Sequence, residues 1–145
     1  PRLSARDAIH LAVIERNGCY LVSRRKPHEH LGGYWEFPGG KRRVGETWRA
    51  CLGRELREEL GIAVKALERL EPIRYRYPDR TIRLEVFRCA IVDGEPKPLG
   101  CQGFQWATPA SLKRLHFPPA DRPLVQQLRR DSLRDIIKTK RRKSA

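Results

Sequence analysis

Gly40-Lys-Arg-Arg-Val-Gly-Glu46, seven further residues, and then Arg54-Glu55-Leu56-Arg57-Glu58-Glu59-Leu60-Gly61-Ile62 put a glycine loop directly before an acidic helix. On that helix Glu55, Glu58 and Glu59 fall at i, i+3 and i+4, so their carboxylates share one face. Such carboxylates repel one another unless a cation neutralises them. All-oxygen ligands of this kind suit Mg²⁺, or Mn²⁺, which in turn hold phosphate oxygens. Trp48, Leu52, Leu56 and Leu60 recur every four residues and supply an apolar stripe, which sets the helix at about Thr47 to Leu60. Gly61 stands where a left-handed C-terminal cap belongs.

The flanking segments read mostly as strands. Ala8 to Ile14 is apolar and β-prone, Asn17-Gly18 is a hairpin signal, and Cys19 to Ser23 is the returning strand. Lys26 to Tyr34 is a polar loop, and the short strand Trp35-Glu36-Phe37 runs into Pro38-Gly39-Gly40. Ile62 to Leu70, Ile73 to Tyr77, Thr81 to Val92 and Phe104 to Ala107 are further strands. Pro109 opens a short helix, and Asp121 with Pro123 starts a last one through Leu124, Val125 and Leu128, with room to continue to Ile137. These elements predict an α/β/α sandwich around a central mixed sheet, with a C-terminal helix. One domain is expected over 1–130, followed by a basic tail over 131–145 whose run Lys138 to Lys143 frays. Pro1 is read as following a removed initiator Met or as a cut from a longer chain.

Hydrolysis of a phosphoanhydride needs an in-line water, neutralised oxygens and a held leaving group. Glu55, Glu58 and Glu59 are the candidate metal ligands, with the Gly39 carbonyl beside them. Arg54 is expected to orient Glu55 and Glu46, which makes Glu55, Glu58, Arg54 and Glu46 the candidate catalytic set. Lys41 reads either as a phosphate contact or as a solvated loop lysine.

The spacing resembles the Nudix signature, Gly-x5-Glu-x7-Arg-Glu-(aliphatic)-x-Glu-Glu-x-Gly-(aliphatic), and every required position matches. The resemblance implies the same sandwich fold and is closest to MutT-type enzymes, which release a nucleoside monophosphate and pyrophosphate. It extends through Arg24-Arg25, His30, Trp35 to Lys41, Tyr77-Pro78-Asp79-Arg80, Trp106 and Phe117-Pro118-Pro119-Ala120. It implies nucleotide contacts at Arg25, His30, Glu36, Phe37, Pro38, Gly39, Lys41, Arg80 and position 121.

Two positions depart from that pattern. The 8-oxoguanine-specific enzymes carry Asn where this chain has Asp121. An amide both accepts and donates, whereas an ionised carboxylate only accepts. Asp121 therefore suits a cytosine-type amine if ionised, an oxopurine if protonated, or serves only as a helix cap. MutT-type enzymes also place a Glu six residues before the strand Trp, where this chain has Gly100. Either the loop shifts register, or Glu55 or Glu58 supplies the base. Hydrolysis of 8-oxo-dGTP leads these readings. CTP, dCTP or modified pyrimidine nucleotides, a non-catalytic base-reading module, and another diphosphate such as ADP-ribose are the alternatives.

The formal net charge of +14 over 145 residues favours polyanionic partners, among them weak electrostatic contact of the tail with nucleic acid. No apolar run approaches the roughly 18 residues of a membrane span, and no membrane partner is expected. Widely spaced cysteines without a Cys-x-x-Cys pair suit reduced thiols in a cytoplasmic protein, here expected to be a monomer.

Overall fold

The computed structural model describes residues 8–144, so the reading of Pro1 lies outside the described residues. The elements are β1 (Ala8–Arg16), β2 (Cys19–Arg24), β3 (Trp35–Glu36), β4 (Gly39–Gly40), α1 (Trp48–Leu60), β5 (Ala63–Arg69), β6 (Ile73–Arg76), β7 (Thr81–Asp93), β8 (Gly103–Ala107), α2 (Pro109–Arg114) and α3 (Arg122–Ser144). A 3-10 turn, Pro119–Asp121, leads into α3.

β1 lies at the centre, parallel to β7 and antiparallel to both β2 and β4, which makes the sheet mixed. It joins β2 only at the hairpin end, through Glu15–Tyr20 and Arg16–Cys19. Asn17 (φ 52°) and Gly18 (φ 77°) form that turn, and both adopt the left-handed backbone that an Asn-Gly hairpin uses. β5 and β6 add to β7, while β3 and β8 flank β2.

Both faces of β1 are covered, which explains its nearly continuous apolar run. Leu11 and Val13 join a core with Phe37, Phe117, Leu124, Val125 and Leu128 on the α3 side. Ala12 and Ile14 join the opposite core with Leu52, Leu56, Leu60, Ile62 and Phe87 on the α1 side. Full burial of a Leu or Phe contributes about 1.5–3 kcal/mol, so these two layers clamp α1 and α3 to opposite faces of the sheet.

The run Lys138 to Lys143 is not frayed. α3 is helical through Ser144, with no break near residue 130. No helix among the described residues is long and apolar enough to cross a membrane.

Candidate nucleotide-hydrolysis site

α1 begins where the Thr47 hydroxyl accepts from the Ala50 amide at 3.1 Å, and it ends at Gly61 in the left-handed conformation (φ 66°, ψ 25°). Burying Cys51, Leu52, Leu56 and Leu60 turns the acidic edge of the helix toward β4 and the 41–46 loop. Arg54 organises that edge. Its Nε and Nη2 donate to the two carboxylate oxygens of Glu46 at 2.7 and 3.0 Å. Nη1 donates to Glu55 at 2.7 Å and to Glu58 at 3.3 Å, and Nη2 also reaches the Lys41 carbonyl at 3.1 Å. The Arg54 fork and the Arg43 amide hold the Glu46 carboxyl down at about 2. One guanidinium thus ties the loop to the helix and fixes Glu55. Lysine cannot span these acceptors, so Arg54→Lys should lower kcat about tenfold. Steady-state hydrolysis beside an unchanged circular-dichroism spectrum checks this.

Gly39 and Gly40 admit no side chain. A Cβ on Gly40 would lie 2.6 Å from the Glu55 carboxyl carbon, and one on Gly39 (φ 149°) would run into the His10 carbonyl. The close approach lets the Gly39 amide donate to Glu59. Gly39→Ala should cost about 2–4 kcal/mol of stability through clash and backbone strain, read as a lower urea midpoint.

Glu59 carries the clearest demand for a cation. Its Oε2 is buried without a hydrogen-bond partner. Burial, then the neighbouring Glu36 and Glu55 carboxylates, push its pKa well above the ordinary carboxylate range. A divalent ion would relieve both costs, so Glu55, Glu59 and the Gly39 backbone fit a hard cation. The structure does not gather all three predicted acids in the same way. Glu58 is half-exposed, its oxygens turned to Arg54 and Arg43 at 3.3 and 3.6 Å. No group of three His, Cys, Asp or Glu residues among the described residues forms a ready metal cage. Glu58 must swing from its arginines to join one.

Beside this edge lies a pocket of about 800 Å³. It brings together Arg25, His30, Glu36, Lys41, Arg80 and Asp121 from segments distant in the chain. Arg25 donates to Glu36 at 3.0 Å and to the His30 carbonyl at 2.7 Å, so the predicted pair Arg25 and Glu36 is one unit. Lys41 lines the pocket, which supports the phosphate reading of that residue. Phe37 and Pro38 do not line it. Phe37 stacks on Phe117 in the core at 5.3 Å, and the Pro38 carbonyl accepts from the Ala12 amide. Glu36 lines the pocket while Phe37, the next residue, faces the core, because β-type backbone alternates faces. Gly39 also stays out of the lining and acts through its backbone.

Ile9, Leu11, Leu31 and Tyr77 line the pocket without having been expected as nucleotide contacts. The alternation of β1 (Ile9, Leu11, Val13) was the available signal for the first two. Tyr77 has a fixing role too, since the Ala120 amide donates to its hydroxyl at 3.1 Å.

Asp121 is 7% exposed, and no capping hydrogen bond reaches its carboxyl, so the helix-cap reading fails. Burial, and then the Glu36 charge, raise its pKa from 3.8 to about 7. Gly100 sits where a side chain would be tight. Its amide donates to the Glu59 carbonyl at 3.0 Å, and a Cβ there would sit 3.1 Å from the Glu59 Cα. The loop is pressed onto the end of α1, and position 100 offers no carboxylate to the site.

Comparison with known proteins agrees with this geometry. The NUDIX domain family matches residues 10–127. The 8-oxo-dGTP diphosphatase of Escherichia coli (strain K12) is 35% identical over 118 residues, covering 81% of this chain and 92% of that protein. The CTP pyrophosphohydrolase of the same organism is 34% identical over 115 residues, covering 79% and 85%. The crystal structure of a MutT protein from Methanosarcina mazei Go1 superposes with a TM-score of 0.74 at 21% identity, over 86% of this chain and 93% of that one, which speaks to the fold alone. A carboxylate edge ordered by one arginine, a nucleotide-sized pocket beside it and these relatives agree: the chain belongs to the Nudix family, as a MutT-like nucleotide pyrophosphohydrolase of a class that typically depends on a divalent metal.

Proposed function

We propose that this protein hydrolyses 8-oxo-dGTP to the monophosphate and pyrophosphate with Mg²⁺, and so removes an oxidised nucleotide before it is incorporated into DNA. The observation that carries the base preference is the environment of Asp121. It lines the pocket, is buried, meets no cation and faces Glu36. Its neutral form offers one O–H donor and one carbonyl acceptor, the same complement as an Asn amide. That complement matches the N7–H and O6 edge of an oxidised guanine.

For the chemistry, Mg²⁺ bound at Glu55 and Glu59, joined by Glu58, would neutralise phosphate oxygens and sharpen the acidity of a nearby water. Arg54 occupies one oxygen of Glu55 and so leaves the other to accept the water proton. The water oxygen bonds to phosphorus as the α–β anhydride bond breaks, and pyrophosphate leaves with the electron pair. Lys41 and Arg80, which line the pocket, would hold phosphate oxygens, and Arg25 pairs with Glu36.

The CTP reading retains one specific support: the ionised form of Asp121 would accept from a cytosine amine, and a CTP-hydrolysing relative lies at nearly the same identity. Measuring kcat/KM with Mg²⁺ across 8-oxo-dGTP, dGTP, CTP, dCTP, 5-hydroxy-dCTP and ADP-ribose, with products identified by phosphorus NMR, decides between them. The expected result is a preference for 8-oxo-dGTP, with monophosphate and pyrophosphate as products. A preference for CTP would overturn the oxopurine assignment and leave the hydrolase intact.

A further inference from the structure

α3 outruns the domain it belongs to. The family match ends at residue 127, whereas the helix continues through Ser144. Its first turns are anchored by Leu124 and Leu128, both buried. The same line of the helix then becomes Asp131 and Asp135, at i+7 and i+11 from Leu124. Asp131 and Asp135 stay near Tyr20 of β2, so this line still borders the body, but through polar groups.

On the opposite side Leu133, Ile136 and Ile137 stand at i, i+3 and i+4, exposed by 59%, 50% and 44%. Arg130, Arg134, Lys138 and Arg141 flank that stripe, all exposed. Along residues 129–144 two acids, Asp131 and Asp135, stand against eight Lys and Arg, so this half of the helix is strongly basic. The +14 chain repels a second copy of itself, so charge complementarity selects an anionic partner. A nucleic-acid backbone would use the cations but would leave three branched aliphatic side chains in water. An anionic bilayer uses both: cations meet headgroup phosphates while the aliphatic side chains enter the acyl boundary.

We infer that the outer half of α3 is a reversible docking helix for anionic membrane surfaces, seated through Leu133, Ile136 and Ile137 with Arg130, Arg134, Lys138 and Arg141 at its flank.

The test is co-sedimentation of the full chain with vesicles of phosphatidylglycerol and phosphatidylcholine, against vesicles of phosphatidylcholine alone and against duplex DNA. The chain should bind only the anionic vesicles among the two lipids. The triple variant Leu133→Ser, Ile136→Ser, Ile137→Ser should bind them at least about tenfold more weakly, with nucleotide hydrolysis and duplex binding unchanged. Replacing Arg130, Arg134, Lys138 and Arg141 by Gln should abolish both vesicle and duplex binding. Vesicle binding unaffected by the serine variant, tighter binding to duplex than to anionic vesicles, or no vesicle binding at all would each overturn the inference. Hydrolysis is read separately, so this failure is distinct from failure of the proposed activity.

Discussion

Glu55→Gln should lower kcat by roughly 10³-fold, within the range for loss of a general base, while leaving the fold intact. Glu55 is the acid held by Arg54 at 2.7 Å against the Gly39-Gly40 strand, and a glutamine there is isosteric but cannot take a proton. Glu59→Gln should cost a comparable factor through a different route. The unpartnered Oε2 of Glu59 and its upward-shifted acidity mark a buried carboxyl that is costly to ionise without a cation. Replacing it by an amide removes that cost, so the metal-free variant should melt at or above the parent. Mg²⁺ at about a hundred times its dissociation constant should stabilise the parent by roughly 2.7 kcal/mol, and the Glu59→Gln variant should lose most of that gain. A thermal scan with and without Mg²⁺, beside steady-state turnover, separates the two roles. Full activity in both variants, or an undiminished Mg²⁺ shift in Glu59→Gln, would refute the assignment of the carboxylate edge.

Much of this site was legible because it is local. The spacing from Glu46 through Arg54 to Glu59, the Thr47 cap, the Gly61 cap and the four-residue apolar stripe all lie within one helix and its loop, where sequence separation and spatial separation run together. Glu46 and Arg54 pair as expected, bidentately. What sequence could not reveal depends on contacts between distant segments. Gly100 reads only as a missing glutamate until the close approach of its loop to the Glu59 backbone is seen. Phe37 reads as a ligand contact because it stands between residues that are at the site, yet Phe117, far along the chain, claims it for the core. The end of α3 was misjudged for another reason. Its apolar residues change sides after Leu128 and end at Ile137, so the apolar pattern carries the helix no further than Ile137 while the backbone stays helical through Ser144.

Asp121 tests the substrate assignment most directly, because its role depends on a proton. Asp121→Ala should reduce kcat/KM for 8-oxo-dGTP by about 5- to 150-fold, the value of one buried base contact of 1–3 kcal/mol. Asp121→Asn should retain most of it. The raised pKa of about 7 then predicts a pH signature. The donor is the neutral acid, present below about 7 and lost above it. The ratio of parent to Asp121→Asn activity on 8-oxo-dGTP should therefore fall with rising pH by up to about tenfold per unit above 7, since the ratio divides out the pH dependence of the shared chemical step. Stability follows the same sign. A carboxyl whose folded pKa is raised from 3.8 contributes stability fully below about 3.8 and loses it as pH rises through about 7. The melting temperature of Asp121→Asn should accordingly gain on the parent as pH rises from about 4 to about 7, and hold a constant lead above that. With CTP the activity ratio should run the other way, because the ionised form is then the productive one. A ratio on 8-oxo-dGTP that stays flat above pH 7, with the stability difference grown as expected below it, would mean that Asp121 titrates without touching the base. The preference would then have to come from the walls that Ile9, Leu11 and Tyr77 give the pocket.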